Sequence, residues 1–180
     1  MTRTSRQPHD GFTLIELVVV IAVIAIIAAI AIPGLLRVRM SGNEASAIGS
    51  MRSIDSGEST YAASCGIGGY AQSLQDLAKP PAAGTAFISP DLTGNGVIKA
   101  GYVVNIGPGT TPSVVTPAAN TCNLSAGDAL ATFFAEAHPV TVGTTGQRSF
   151  GTDQRFAIYD NKAGTTFTAA TTAASTTPIQ

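Results

Sequence analysis

The chain has 180 residues, 44% hydrophobic and 12% charged, with ten basic against eleven acidic side chains. A net charge of -1 excludes the broad basic footprint of a nucleic-acid surface, and two cysteines are too few for the zinc cages built on three or four of them. A positive mean hydropathy of +0.26 in a chain with 19 glycines and 10 prolines requires the apolar residues to be concentrated in one place.

That place is near the N-terminus. After a polar start carrying Arg3, Arg6, His9 and Asp10, the segment Leu17–Ile32 runs sixteen residues without a polar side chain. Extension to Phe12 and Leu36 gives 25 residues, interrupted by Thr13, Glu16, Pro33 and Gly34 and closed by Arg37 and Arg39. As a helix this is roughly 37 Å long, enough for a ~30 Å hydrocarbon core. Three readings compete. A secretory signal peptide would be cut at Ala29-Ile30-Ala31, against which stand the length of the apolar core and the carboxylate of Glu16. A plain anchor would hold Arg3 and Arg6 in the cytoplasm, but the two arginines at the far end cancel that asymmetry. The third reading explains why a carboxylate follows four residues after the phenylalanine of a Gly-Phe pair.

Gly11-Phe12-Thr13-Leu14-Ile15-Glu16-Leu17, with the apolar run and Ala31-Ile32-Pro33 behind it, resembles the class III signal of type IV pilins and type II secretion pseudopilins. The resemblance covers Gly11 to Leu36. It implies cleavage by a prepilin peptidase between Gly11 and Phe12 and N-methylation of Phe12. It also implies that Glu16 is the family's acidic assembly residue. Physical chemistry agrees with this reading. Cleavage creates a cationic amine at Phe12, one helical turn from Glu16, and a carboxylate in apolar surroundings needs a cationic partner or must be neutralised. In a membrane monomer the partner is its own amine; in a filament the resemblance implies the amine of an adjacent subunit.

Pro33 and Gly34 together predict a kink or loosened helix around residues 29–34. The resemblance implies a stretch that unwinds in filaments; the other reading is that Pro33 ends a membrane helix. Beyond it, Val38, Ala45, Ile48, Met51, Ile54 and Tyr61 recur at three or seven residues with Ser50, Arg52, Asp55 and Glu58 between them. This predicts an amphipathic helix fading near Ser64. Gly42, Gly49 and Gly57 within it either form a seam for close approach or simply weaken the helix.

From Cys65 onward the composition turns to Gly, Thr, Ser, Ala and Pro. Strands are predicted at residues 85–88, 101–106, 129–135, 140–142, 148–152 and 155–159, with a long loop over 107–123. The alternation in Tyr102-Val103-Val104-Asn105-Ile106 calls for a sheet with one buried face, which the amphipathic helix covers. The tail TFTAATTAASTTPIQ is expected to be mobile or an irregular last strand. The predicted fold class is therefore α+β: a long N-terminal helix, kinked near Pro33, whose C-terminal half packs on a small antiparallel head, as in the pilin fold. The expected organisation is a leader at 1–11, a membrane and assembly helix at 12–36, its amphipathic continuation at 37–64 and a β-rich head at 65–180.

In an exported head, Cys65 and Cys122 are expected to form a disulfide, two free thiols being the alternative. His9 lies in the leader, and His138 has no second histidine to join it. Asp91-Leu92-Thr93-Gly94-Asn95-Gly96 has the oxygen-rich character of a calcium loop without EF-hand spacing, and such clusters also make turns without metal. No nucleophile motif frames the head's Ser, Asp and His residues. Neither catalysis, metal nor cofactor is expected.

The expected function is a structural subunit of a pilus-like filament for adhesion, motility or DNA uptake. Its expected partners are further copies of the chain, the prepilin peptidase and methyltransferase, the inner membrane and the assembly machinery; nothing indicates nucleic acid. The expected location is the inner membrane with a periplasmic head, then an extracellular pilus or periplasmic pseudopilus. A secretion pseudopilin is the alternative within the family. A secreted binding protein or enzyme with an ordinary signal peptide is the alternative outside it.

Overall fold

The computed structural model describes residues 11–174, 178 and 179; the leader residues 1–10 and the end of the low-complexity tail lie outside them. Two compact units divide at Val38 and Arg39, within the first helix. That helix, α1, spans Leu14–Ser64 and holds Pro33 in its interior. Long runs of Ile, Val, Leu and Ala carry the helix through Pro33, which lacks the amide that would have met the Ala29 carbonyl and sets its ring against that carbonyl. The helix ends where glycines follow. Tyr61 O accepts from both Cys65 N and Gly66 N at 2.8 and 2.7 Å, and Gly68 N closes on Ala62 O at 2.8 Å. Ile67 and Gly68 there take φ of 50° and 90°.

Within the second unit, α1 and a five-stranded antiparallel sheet enclose the core. The strands are β1 (Val97–Lys99), β2 (Tyr102–Pro108), β5 (Phe133–Pro139), β6 (Ser149–Asp153) and β7 (Tyr159–Asn161), in the order β1-β2-β5-β6-β7. A separate pair joins β3 (Val114–Thr116) to β4 (Ala129–Leu130), with a register irregularity between Val114 and Thr116. The register places Val104 opposite Ala137 and Ala137 opposite Phe150. Tyr102, Val104, Ile106, Phe133, Ala135, Ala137 and Phe150 thus share a buried face with Ala47, Met51, Ile54 and Tyr61 of α1 in one cluster. The alanines of β5 lower the sheet surface where the helix lies, which lets the larger side chains of α1 interdigitate.

Charge fixes the same face of the helix one turn before Ala47. Glu44 accepts from Gln147 N and Arg148 N at 3.0 and 3.2 Å and from the Arg148 guanidinium at 2.8 and 3.0 Å. Arg148 also donates to Asp160 at 3.1 Å. Asn43 Nδ2 donates to Thr145 O at 2.8 Å.

Several sequence expectations are corrected. No strand forms at 85–88, where Phe87 N instead donates to Leu77 O at 2.9 Å and the Phe87 ring meets Tyr61 edge-on at 5.3 Å. The strand expected at 129–135 is two, β4 and β5, belonging to different sheets. Residues 140–142 enter a turn closed by Gly143 N to Gly146 O at 2.8 Å. The last predicted strand begins only at Tyr159, because Phe156 turns at φ 54°. A short helix α2 (Leu74–Ala78) went unpredicted; Ser73 caps it by accepting from Asp76 N at 3.1 Å. Part of the tail forms a short helix instead of a strand, α3 (Ala169–Ala174), started by Thr168 Oγ1 accepting from Thr171 N at 3.2 Å. It lies over Gly151, where a Cβ would sit 2.9 Å from both Phe167 and Thr172 Oγ1.

The glycines of α1 divide into two kinds. A Cβ at Gly42 or Gly49 meets nothing within 4 Å, whereas one at Gly57 would lie 2.8 Å from the Phe87 carbonyl oxygen. Gly57 is therefore a close-approach residue against a loop, whereas Gly42 and Gly49 meet no other part of the chain. Gly49→Ala is expected to raise stability by ~0.5–1 kcal/mol. Gly57→Ala should lower it by ~1–3 kcal/mol through overpacking, as read by thermal unfolding of the detergent-solubilised chain.

Candidate functional site

The residues expected to serve processing, Gly11 and Phe12, lie just before α1, and Glu16, expected to serve assembly, lies in its first turn. Thr13 is its cap. Thr13 N and Oγ1 donate to Glu16 Oε2 at 3.0 and 2.6 Å, and Glu16 N donates back to Thr13 Oγ1 at 3.3 Å. This is a reciprocal capping box that satisfies the first free amides of the helix. The sequence reading paired Glu16 with Phe12 and passed over this arrangement, although Thr13-x-x-Glu16 ahead of an apolar run is its signature. Phe12 precedes the helix and is 80% exposed. Phe12, Ile15, Glu16, Val19 and Val20 line a shallow depression along one stripe of the helix. Gly11 has open space where a Cβ would stand, so nothing in the fold itself calls for glycine there.

Beyond this stripe the helix is apolar on every side. The large side chains of Leu14 through Leu36 are exposed, and an 18-residue window reaches a mean hydropathy of 3.2 with none of it buried. A helix apolar all round has no polar face to turn to water. Its length and composition suffice to cross a membrane.

In the head, Cys65 and Cys122 are bonded, their Cα atoms 4.7 Å apart across a sequence separation of 57. The bond joins the end of α1 to a corner in which Asn123 Nδ2 donates to Asp76 O and Lys79 O at 2.7 and 3.0 Å. Lys79 Nζ donates to Leu124 O in the same corner. The side chains of the Asp91 loop have partners within the chain. Asp91 pairs with Lys99 at 2.6 Å, and the hydrogen bond from Lys99 holds its carboxyl below the usual range. Asn95 Oδ1 accepts from Leu74 N and Ile106 N at 3.2 and 3.1 Å while its Nδ2 donates to Ile106 O at 2.7 Å. Among the described residues no group of three or more His, Cys, Asp or Glu is placed to hold a metal.

His138, the last residue but one of β5, has its Nδ1 2.9 Å from Glu136 Oε2. Glu136 also accepts from Asn105 Nδ2 at 2.5 Å. Glu136 is buried and His138 half-buried, on the face of β5 opposite to Ala135 and Ala137. Two further carboxyls that the sequence assigned to the solvent side of α1 face inward instead. Glu58 is fully buried, and Asp55 lies partly buried one turn before it.

Residues 6–32 match the family model of the prokaryotic N-terminal methylation motif. This is the class III signal of type IV pilins and pseudopilins, so the chain carries the signal of a pilin-like or pseudopilin precursor. Such precursors are structural subunits rather than enzymes. The motif implies prepilin peptidase processing and a pilus or secretion assembly pathway, and with the apolar helix it fits an inner-membrane precursor. No curated protein and no solved structure matches the chain.

Proposed function

We propose that the chain is a structural subunit of a type IV pilus-like filament. It is inserted in the inner membrane with its head in the periplasm, cleaved between Gly11 and Phe12, methylated at Phe12 and polymerised through its N-terminal helix. The observation that carries this reading is the methylation motif at residues 6–32, set on a helix that is apolar on all sides. In a filament the apolar helices bundle, and Glu16 pairs with the Phe12 amine of a neighbouring copy, setting axial register. Pro33, with no amide for Ala29, is the place where the helix gives way during packing. The four segments 1–11, 12–36, 37–64 and 65–180 serve respectively as leader, assembly helix, head-bound helix and head. Assembled subunits form an extracellular fibre for adhesion, motility or DNA uptake. The commitment of Asp91 to Lys99 and of Asn95 to backbone supports a pilin over a pseudopilin with a calcium loop at that position.

Intact-mass analysis of the purified protein tests the processing. A chain beginning at methylated Phe12 is expected, and a chain beginning after Ala31 would overturn the proposal in favour of an ordinary signal peptide. Gly11→Ala should leave the full-length precursor accumulating in the membrane fraction. Electron microscopy of sheared surface fibres, with a deletion strain as control, then separates a pilus from a periplasmic pseudopilus.

A further inference from the structure

The head-facing side of α1 holds two carboxyl groups that assembly through the N-terminal helix does not use. Glu58 is fully buried. Its Oε2 accepts from Ala71 N at 2.9 Å, and its Oε1 has no hydrogen-bond partner. One turn earlier, Asp55 Oδ1 accepts from Thr152 Oγ1 of β6 at 2.8 Å. Neither group makes an ion pair with a cationic side chain among the described residues.

The groups packed around them are no kinder to negative charge. From α2, Asp76 faces Glu58, its own carboxylate already accepting from Ser73 Oγ and Ala126 N at 2.9 and 2.6 Å. From β6, Asp153 faces Asp55 and is itself held by Arg155 at 2.8 Å. Tyr61, on α1, gives its hydroxyl to Ser125 at 2.6 Å, and Tyr70, next to the Ala71 donor, also lies within the field of Glu58. On α1 itself Arg52 is exposed.

We infer that Asp55 and Glu58 form a proton-operated clamp between α1 and the head, closed when both carboxyls carry protons and loosened when they ionise. A buried carboxylate without a cation is unfavourable, whereas the neutral acid is tolerated as a polar group. Burial pushes Asp55 up to about 7, with Asp153 adding to the effect against the Thr152 hydrogen bond. Burial likewise pushes Glu58 well above the ordinary range, Asp55 and Asp76 adding to it against the Ala71 bond. The sign follows from linkage. Between the ordinary carboxyl range and about 7 the folded head holds protons that the unfolded chain has released, so stability falls as pH rises through that window. The contribution is whole below the ordinary carboxyl range, declines through that window and is lost once Asp55 ionises above about 7, and the release point is the junction of α1 with the segment at Ala71 and with β6.

The clamp is tested on the full-length chain in detergent micelles, by amide hydrogen exchange corrected for its intrinsic pH dependence. Protection at Ala71 and across residues 55–62 is expected to fall on the order of tenfold or more between about pH 5 and about pH 8. The Asp55→Asn, Glu58→Gln double variant keeps both acceptor oxygens and should flatten that fall. Equal protection at the two pH values in the unsubstituted chain, or an undiminished fall in the double variant, would overturn the clamp. Infrared spectroscopy of the unsubstituted chain covers the case in which the variant does not fold. A protonated carboxylic-acid carbonyl band is expected to persist just below neutrality and to vanish at higher pH, and a spectrum without it refutes the proposal.

Discussion

Glu16→Gln is expected to leave precursor cleavage and the start of α1 largely intact while reducing filament incorporation on the order of a hundredfold. In the proposed filament Glu16 has two jobs. In the capping box, Glu16 accepts from Thr13 N and Thr13 Oγ1, and a glutamine oxygen serves that purpose as well as a carboxylate does. Pairing with the Phe12 amine of a neighbouring subunit requires the negative charge, and glutamine cannot supply it. An amine left unpaired among apolar helices then opposes every subunit addition. Glu16→Ala removes both jobs, so it should block assembly and also fray the first turn. Comparing the two variants by yield of sheared fibres, with processed subunit in the membrane as reference, assigns the loss. Normal fibre yield from Glu16→Gln would mean that the cap alone suffices and that charge pairing sets no register.

The parts of the molecule legible in the sequence are those whose signal is local and chemical. A glycine, an aromatic, a carboxylate and an apolar run in fixed spacing mark the N-terminus before any packing is known. The parts that were not legible depend on contacts distant in sequence. Helix α2 is five residues long, shorter than any window in which helical periodicity can register. The strand β1 has three residues between glycines that read as turn. Residues 129–135 look like one strand because nothing in them shows that Ala131 N donates to Ser113 O at 2.9 Å, where the chain leaves one sheet for the other. Glu58 is the instructive case. It stands four residues after Ile54 and three before Tyr61, squarely on the stripe those two define. Its chemistry argued for solvent while its position argued for the core, and position prevailed.

Removing the disulfide by Cys65→Ser together with Cys122→Ser is expected to destabilise the head by about 4 kcal/mol, on the chain-entropy model for a closed loop of this size. For a domain of this size that is a large share of an ordinary folding free energy. The loss should not be uniform. The bond anchors the end of α1 beside Asn123, whose side chain ties the carbonyls of Asp76 and Lys79, and beside Ser125, which meets the Tyr61 hydroxyl at 2.6 Å. Each of these bonds needs the 121–126 corner to be held against the helix end, so they should loosen together. The sheet from β2 to β6 is joined by its own ladders and tied to α1 by the Glu44–Arg148 pair at 2.8 Å, neither of which passes through the corner. Chemical denaturation should therefore show a lower midpoint. Hydrogen exchange should show protection lost first at residues 61–79 and 118–126, ahead of β2 and β5. A uniform loss across the sheet would mean instead that the bond acts through the unfolded chain alone, as the entropy model in its simplest form requires.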